Sequence, residues 1–330
     1  MTVAVFSKGM SVPSMVDWLE FKVLESEFGV YRANDLRSVI EKVQDKDAIN
    51  VAELDNVIDG IYEKIIEEID KREHCLETTY PFQIEDNGKV FLLNDTISPG
   101  GYVYLYCLIF SHINRRDVLE TPPSATNSDR DIMQICSTLA AANIAGGNAA
   151  SFGWPRPDES GFLEGLRNTY DRFGEETEVR HVRPPGSSPW VKDGGVDVIA
   201  WEHVNDAAAG KQYILGQVAS GDNWDGKAIR AEIEQFHSCF ITRPASMHTE
   251  AMFIPHCIEP YNDDSYEQRL SWLTRKFGSI YSRHRLPLYA NNGHLLADEG
   301  NENYYIERSD EFDKVVVYVE DFMKLLREAA

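Results

Sequence analysis

Residues Asp193 to Lys227 read DGGVDVIAWEHVNDAAAGKQYILGQVASGDNWDGK. This stretch holds two short apolar runs of the kind that form buried strands, and each carries one polar residue. Asp197 begins the first run, and Gln217 ends the second. A polar turn over residues 220–223 and a segment with helical spacing follow. Two side-chain oxygens on neighbouring strands, with a lysine close by, are suited to hold Mg²⁺ beside a phosphodiester.

A structural interpretation of the same two polar residues is also open. In it, Asp197 caps a strand and Gln217 is a core amide whose hydrogen bonds are all made, because buried polar groups need partners in any case. An Asp followed about twenty residues later by a Gln is by itself a common pattern. The preceding Gly194-Gly195 pair and the turn that carries Trp224 make the pattern more specific.

The segments around this stretch predict an α/β domain. Apolar periodicity and turn residues give the order helix, strand, strand, strand, helix, strand between residues 129 and 258, with further helices towards residue 329. Before residue 77 the apolar residues recur every three or four positions, which predicts helices. The run ETPPSATNSDR at residues 120–130 is the best linker. We therefore expect a mainly helical N-terminal domain at 1–125, with an interaction or regulatory role, and a second domain at 126–330.

The order of elements and the two polar residues resemble the restriction-endonuclease-like superfamily, whose signature is written PD-(D/E)xK. The segments DGGVDVIAW and LGQVASGDNW are most similar to a bacterial subgroup with a glutamine variant, QxK, of the second half-motif. The resemblance covers roughly residues 129–258. It implies a mixed sheet flanked by helices and a nuclease related to restriction and antiviral-defence enzymes.

The resemblance implies a role for each matching residue. Asp197 corresponds to the metal-binding aspartate, Gln217 offers a side-chain oxygen to the same ion, and the backbone carbonyl of Val218 is the usual additional ligand. An acidic residue on the first core helix often completes such a site. That residue is Asp131 if the helix begins near Asp129, or Glu164 if the next helix takes the role. The implied cofactor is Mg²⁺, which Mn²⁺ can replace.

The sequence departs from the family pattern at Ala219, where the family carries its lysine. That lysine stabilises the negative charge that develops on the phosphate. Three explanations stay open. Lys227 reaches back to the site from the following helix, or Ala219 is an engineered replacement of lysine in an active enzyme, or the domain is a natural pseudonuclease that binds without cutting.

Composition limits the kind of protein. The net charge of −22 is unusual for a chain that grips DNA by itself, so we expect a partner protein or a homo-oligomer to assist. The five cysteines are scattered without a C-x-x-C pair, which argues against a disulfide framework and a thiolate zinc site. No apolar run approaches the roughly 20 residues that span a bilayer, and no signal peptide is recognisable. We expect a cytoplasmic protein without a membrane partner.

Other polar residues are weaker candidates. Trp154, Arg156, Arg180, Arg183 and Lys192 surround the loops before the central stretch and could line a groove that follows phosphates, although scattered surface positions explain them equally. His248, Glu250 and His256 alternate along one predicted strand, where exposed polar alternation is commoner than a metal site.

The sequence thus predicts a Mg²⁺-dependent DNA endonuclease that hydrolyses phosphodiesters in a bacterial defence or restriction system. The alternative is a catalytically inactive nuclease-like domain that serves as a scaffold for nucleic acid or protein.

Overall fold

The computed structural model describes most of the chain and divides it into two compact units. It describes residues 1–44, 51–85, 88–113, 115, 117–206, 208–226, 229–261, 264–298 and 303–330. Unit 1 comprises Met1–Asp129 and Val315–Ala330, and unit 2 comprises Arg130–Lys314. None of the helices in these ranges is both long and apolar enough to cross a lipid bilayer.

The elements follow one another in two groups. Those up to residue 120 are β1 (Thr2–Val3), α1 (Val12–Glu25), β2 (Val30–Arg32), α2 (Ala33–Lys42), α3 (Val51–Leu76), β3 (Phe82–Glu85), β4 (Val90–Leu93), α4 (Pro99–Ile113) and β5 (Leu119–Glu120). The remainder are α5 (Asn127–Ala145), β6 (Gly147–Ser151), α6 (Phe162–Phe173), β7 (Val198–Glu202), β8 (Tyr213–Val218), α7 (Ile229–Cys239), β9 (His248–Phe253), α8 (Tyr266–Phe277), β10 (Ser279–Tyr281), α9 (Leu286–Asp298) and α10 (Asp313–Ala329). The protein is therefore mixed α/β, as the sequence predicted.

Unit 1 is mainly helical and contains a buried ionic cluster. Its strands form a three-stranded antiparallel sheet of order β2-β4-β3 and the small pair β1-β5. The fully buried guanidinium of Arg72 on α3 donates to Asp17 at 2.7 Å and to Glu20 at 3.0 Å, both on α1. It also donates to Glu68 at 3.1 Å and to the Tyr104 hydroxyl at 3.0 Å. Arg72 thus ties α1, α3 and α4 together with directional bonds.

Unit 2 is built on a five-stranded mixed sheet of order β10-β9-β8-β7-β6. The pairs β6–β7 and β7–β8 are antiparallel, and the pairs β8–β9 and β9–β10 are parallel. Helix α7 makes the crossover that a parallel β8–β9 pair requires. One apolar cluster joins α6 and α7 to the sheet, and its largest members are Tyr170, Phe173, Trp201, Tyr213 and Phe236. A second cluster joins α8 to β9 and β10.

The structure differs from the sequence-based prediction at two places in unit 2. The spacing of apolar residues from Ser265 predicts one helix to Tyr281, but Ser279–Tyr281 form β10, because Gly278 ends α8 with φ +75° and packs against the backbone of Glu250. A Cβ on residue 278 would lie 2.4 Å from the Glu250 carbonyl oxygen, so only glycine allows this close approach. Helix α9 was not predicted.

The division into units also differs from the predicted domains 1–125 and 126–330. Unit 1 extends to Asp129, and it includes the last sixteen residues, Val315–Ala330. The reason is the apolar face of α10, which packs within unit 1: the ring of Phe322 lies 6.2 Å from that of Phe21. Tyr102 donates to Glu320 at 3.1 Å, and the Arg327 guanidinium donates to the Leu24 carbonyl at 3.1 Å.

Candidate functional site

Asp197 and Gln217 lie at the same end of the β7–β8 pair. Val198 pairs with Gly216 in this antiparallel ladder. Asp197 is one residue before that pair and Gln217 one residue after it. The Asp197 amide donates to the Gly216 carbonyl, so Asp197 continues the contact between the two strands beyond the start of β7. The structure thus brings together the two residues that the sequence singled out.

Main-chain bonds hold Asp197 in a fixed orientation. Its amide donates to the Gly216 carbonyl at 2.8 Å, and its carboxylate Oδ2 accepts from the Val218 amide at 2.8 Å. Its own carbonyl accepts from the amides of Phe152 and Gly153, both at 2.8 Å. Backbone donors bond to Oδ2 and to the Asp197 carbonyl, a backbone carbonyl accepts from its amide, and these bonds set the direction of the side chain.

A third polar side chain, Gln134 on α5, reaches the same place. Its Nε2 donates to the Asp197 carbonyl at 2.5 Å. A Cβ atom on residue 153 would lie 2.9 Å from Gln134 Oε1 and 3.2 Å from Asp197 Oδ1. Because residue 153 is glycine, the space between these two oxygens is left open. The sequence analysis missed Gln134, although it follows the candidate Asp131 by three residues and so lies on a similar face of the helix.

The amide oxygen of Gln217 is buried and has no hydrogen-bond partner within the described ranges. A buried acceptor without a donor costs about 1–3 kcal/mol, so such atoms call for an explanation. The interpretation of Gln217 as a core amide with all its bonds made therefore does not account for this oxygen. A buried oxygen that lacks a donor is suited to a cation.

The carbonyl of Val218 adds a further oxygen to this edge of β8. The amide and carbonyl of one strand residue point to the same side of the strand. Because the Val218 amide points to Asp197 Oδ2, the Val218 carbonyl also faces the side on which Asp197 lies. This direction agrees with the role that the resemblance implies for Val218.

The oxygens at this place fit Mg²⁺ better than a softer metal. Asp197 supplies a carboxylate, Gln217 and Gln134 supply amide oxygens, and Val218 supplies a carbonyl. Hard cations take such ligands, and Mg²⁺ commonly uses only one or two carboxylates together with substrate phosphates and water. In the described part of the chain no group of three His, Cys, Asp or Glu side chains is placed to hold a metal. Any ion here therefore depends on amide and carbonyl oxygens.

Ala219, at the expected lysine position, is fully buried. It packs in the apolar cluster that contains Trp224, Met252 and Phe277. Its amide donates to the Phe253 carbonyl at 2.9 Å, which continues the ladder one residue beyond β8. The Cβ of residue 219 is thus surrounded by apolar side chains. Lys227 lies outside the described residues.

The two acidic candidates for completing the site lie elsewhere. Asp131 accepts two bonds from the Arg308 guanidinium, at 2.6 and 2.5 Å, so its carboxylate is held by an ion pair within unit 2. Glu164 is exposed in the first turn of α6. From the first core helix it is Gln134, rather than Asp131, that makes a bond to Asp197.

The basic and aromatic residues before β7 fall into two groups. Arg156 is buried, and its guanidinium donates to the carbonyls of Ser160, Phe152 and Lys192, so it braces the loop and is not available to a groove. Burial lowers the pKa of Arg156. The other members, Trp154, Arg180, Arg183 and Lys192, are exposed, as is Trp190.

A polar cavity of about 280 Å³ borders β6. Its charged lining consists of Arg156, Arg172, Asp158 and Glu307, which carry equal numbers of positive and negative charges. Glu307 Oε2 accepts from the Ser151 amide at 2.7 Å, and burial raises the pKa of Glu307. This balance gives the cavity no preference for a phosphate.

The strand β9 does not carry the alternating trio that the sequence suggested. It ends at Phe253, and His256 lies in the loop beyond it. Glu250 forms an ion pair with Arg230 at 3.4 Å. The ring of His248 instead lies 4.8 Å from that of His237 on α7. Burial, the largest cause, lowers the pKa of His237 to about 4.

The chain matches no protein-family model, no curated protein and no solved structure. The geometry around Asp197, Gln217 and Gln134 is therefore the basis on which a function is proposed.

Proposed function

We propose that unit 2 is a Mg²⁺-dependent endonuclease that hydrolyses phosphodiesters in DNA. The observation that carries the proposal is the buried oxygen of Gln217, which has no partner among the described residues and lies at the same end of the β7–β8 pair as the carboxylate of Asp197. A cation would give the Gln217 oxygen the partner that it lacks. Mg²⁺, or Mn²⁺ in its place, would polarise the scissile phosphate and lower the pKa of a bound water.

The sheet topology supports a restriction-endonuclease-like fold. A helix, α5, precedes three antiparallel strands, and the crossover helix α7 leads to a strand parallel to β8. This is the order that the sequence resemblance implies for a nuclease core. Gln134 on α5 occupies the role expected of an acidic residue on the first core helix. Fold alone does not determine activity, so the proposal depends on the oxygens of the site.

The protein groups would act by holding oxygen atoms in place. The Val218 amide fixes one carboxylate oxygen of Asp197, and the ladder fixes the backbone of both strands. Gly153 keeps open the space beside Gln134 Oε1 and Asp197 Oδ1. Ligands fixed in this way need little rearrangement when a phosphate arrives, which is how a preorganised site lowers a barrier.

Charge suggests how DNA would be bound. The chain carries a net charge of −22, which opposes approach to DNA. Exposed Arg180, Arg183 and Lys192, together with exposed Trp190, lie on the segment that leads into β7. We therefore place the DNA contact on this segment and retain the proposal of a partner protein or a homo-oligomer. The proposed setting is a cytoplasmic restriction or antiviral-defence system.

The test is cleavage of supercoiled plasmid with Mg²⁺ or Mn²⁺ by the chain, by Asp197→Asn and by the control Asp206→Asn. Asp206 is an exposed carboxylate on the β7–β8 connection. We expect the chain and the control to cut, and Asp197→Asn to lose at least about a hundredfold in rate. Mn²⁺ binding, measured by electron paramagnetic resonance, should be weakened by Asp197→Asn only. Equal Mn²⁺ binding by all three proteins would contradict the proposal.

The second candidate function is a nuclease-like scaffold that binds without cutting. Full burial of Ala219 in an apolar cluster favours it, because that packing replaces the charged lysine of the family. The variants Ala219→Lys and Ala219→Lys/Asp197→Ala separate the two candidates. Cleavage that is gained by Ala219→Lys and lost in the double variant indicates a nuclease site that lacks only its lysine. Cleavage by the unchanged chain indicates that another group, such as Lys227, takes the role of that lysine. Absence of cleavage in all of them, with Mn²⁺ still bound, favours the scaffold.

A further inference from the structure

Cys257 lies beside an arginine and a histidine at the carboxyl ends of two parallel strands. It follows β9 by four residues, and Arg283 and His284 follow β10 by two and three residues. Because β9 and β10 are parallel, the loops after them leave the same edge of the sheet. The Arg283 amide donates to the His256 carbonyl at 3.2 Å, which joins the two loops next to Cys257.

The contacts of the thiol are those of a stabilised anion. The Arg283 guanidinium donates to Cys257 Sγ through Nε at 3.0 Å and through Nη2 at 2.7 Å. His284 Nε2 lies 3.4 Å from the same sulfur. Both Arg283 and His284 are almost fully buried, so solvent screens their effect on the sulfur only weakly. Two donors from one guanidinium favour the charged form of the sulfur over the neutral thiol.

The sulfur also remains reachable. Cys257 is reduced and only half-buried, whereas Cys107 and Cys136 are buried. A cysteine that combines a cationic surrounding with partial exposure has the properties of a reactive thiolate.

We propose that Cys257 is a nucleophilic thiolate and a covalent-modification site for small electrophiles, with hydrogen peroxide as the class that would modify it. The thiolate sulfur attacks one oxygen of the peroxide, a sulfur–oxygen bond forms and the oxygen–oxygen bond breaks. Sulfur is oxidised by two electrons to a sulfenic acid, and the peroxide is reduced. The other oxygen leaves as hydroxide, which takes up a proton to become water. This site is separate from the proposed nuclease function and is tested without it.

The chain contains its own control. Cys239 is also reduced and half-buried, and its described contact is the Ser238 hydroxyl at 3.6 Å. Iodoacetamide alkylates the thiolate form, with a sulfur–carbon bond formed and iodide released. Rates at each cysteine are measured by mass spectrometry of peptides at pH 6.5 and 8.5. A thiol with a pKa of about 8.5 loses about fiftyfold in rate between pH 8.5 and 6.5. We expect the rate at Cys257 to fall less than about threefold over the same range, and less than the rate at Cys239 in the same sample.

Two variants test the cause. Arg283→Gln and His284→Gln should each restore a steeper pH dependence at Cys257, with the larger effect from Arg283→Gln. The rate at Cys239 in the same molecules reports folding, because an unfolded variant would alkylate quickly at every cysteine. With hydrogen peroxide, trapping of sulfenic acid by dimedone should label Cys257 before Cys239. The proposal is overturned if Cys257 shows the pH dependence of Cys239, or if a folded Arg283→Gln variant leaves its profile unchanged.

Discussion

At the scale of single residues, the candidate site depends on a missing side chain. Gly153 has no Cβ, so the space next to Gln134 Oε1 and Asp197 Oδ1 is open. An ion or a water in this space would contact both oxygens. Its amide also donates to the Asp197 carbonyl. The residue therefore shapes the site through its backbone and through the volume it leaves empty.

Gly153→Ala should block ion binding without unfolding the protein. The added methyl would meet Gln134 Oε1 at 2.9 Å and Asp197 Oδ1 at 3.2 Å, so it would occupy the place of a ligand. We expect Mn²⁺ affinity to fall at least about tenfold. The matched control is Gly161→Ala, where an added Cβ has nothing within 4 Å. Unchanged Mn²⁺ affinity in folded Gly153→Ala would place the ion elsewhere.

Gln217→Leu should make the metal-free protein more stable. It removes a buried acceptor that lacks a donor, which relieves a cost of about 1–3 kcal/mol. The contrasting variant is Gln134→Leu, which removes the bond to the Asp197 carbonyl and should lower stability. Urea unfolding in the presence of EDTA measures both. A loss of stability in Gln217→Leu would mean that its oxygen is satisfied in solution and is not kept for a ligand.

At the scale of elements, α7 and β9 meet through two histidines. The rings of His237 and His248 lie 4.8 Å apart, and burial lowers the pKa of both, that of His237 to about 4. Neither ring nitrogen of His237 has a hydrogen-bond partner among the described residues. The helix is therefore packed on the strand through uncharged rings.

This contact should make folding sensitive to mild acid. Between pH 6.5 and about 4 the unfolded chain binds a proton at His237 that the folded chain excludes, so stability falls as the pH falls through that window. His237→Phe should remove part of this loss, seen as a smaller drop in melting temperature between pH 7.5 and 5.0. The control His181→Phe changes an exposed histidine. A drop as large in His237→Phe as in the unchanged chain would contradict the assignment.

Sequence patterns predicted elements better than the contacts between them. The two apolar runs around Asp197 and Gln217 are joined by a short connection, so an antiparallel pair that brings them together could be expected. Gln134 could not be found in that way, because it bonds to a backbone carbonyl, which any residue offers. The spacing of apolar residues in α10 is typical of a helix with one buried face, but it does not identify the unit against which that face packs. Ala219 was recognised as a departure, but its apolar surroundings come from α8 and β9, far along the chain.

At the scale of the whole molecule, acidity should dominate the encounter with DNA. The net charge of −22 opposes approach to DNA, and the exposed cations Arg180, Arg183 and Lys192 lie on the segment before β7. Affinity for DNA should therefore be weak at physiological salt and depend only modestly on salt.

Arg183→Ala should reduce the slope of log affinity against log salt by about 1, because one phosphate contact is lost. Fluorescence anisotropy of a labelled duplex, measured from low to physiological salt with the Asp197→Asn background to prevent cutting, gives the slope. The control Arg37→Ala removes a cation of unit 1 that is paired with Asp59. A slope that falls equally in both variants would indicate binding through diffuse charge rather than through the segment before β7.

The membership of α10 in unit 1 has a consequence for the order in which the protein matures on the ribosome. Residues up to Asp129 leave the exit tunnel first. The contact partners of Phe21 and Leu24 within unit 1 are Phe322 and Arg327, which are translated some three hundred codons later. Unit 2 is a continuous segment and can fold as soon as it emerges. Unit 1 therefore passes through synthesis with part of its apolar surface uncovered, and it is the part of the nascent chain that a chaperone would hold longest.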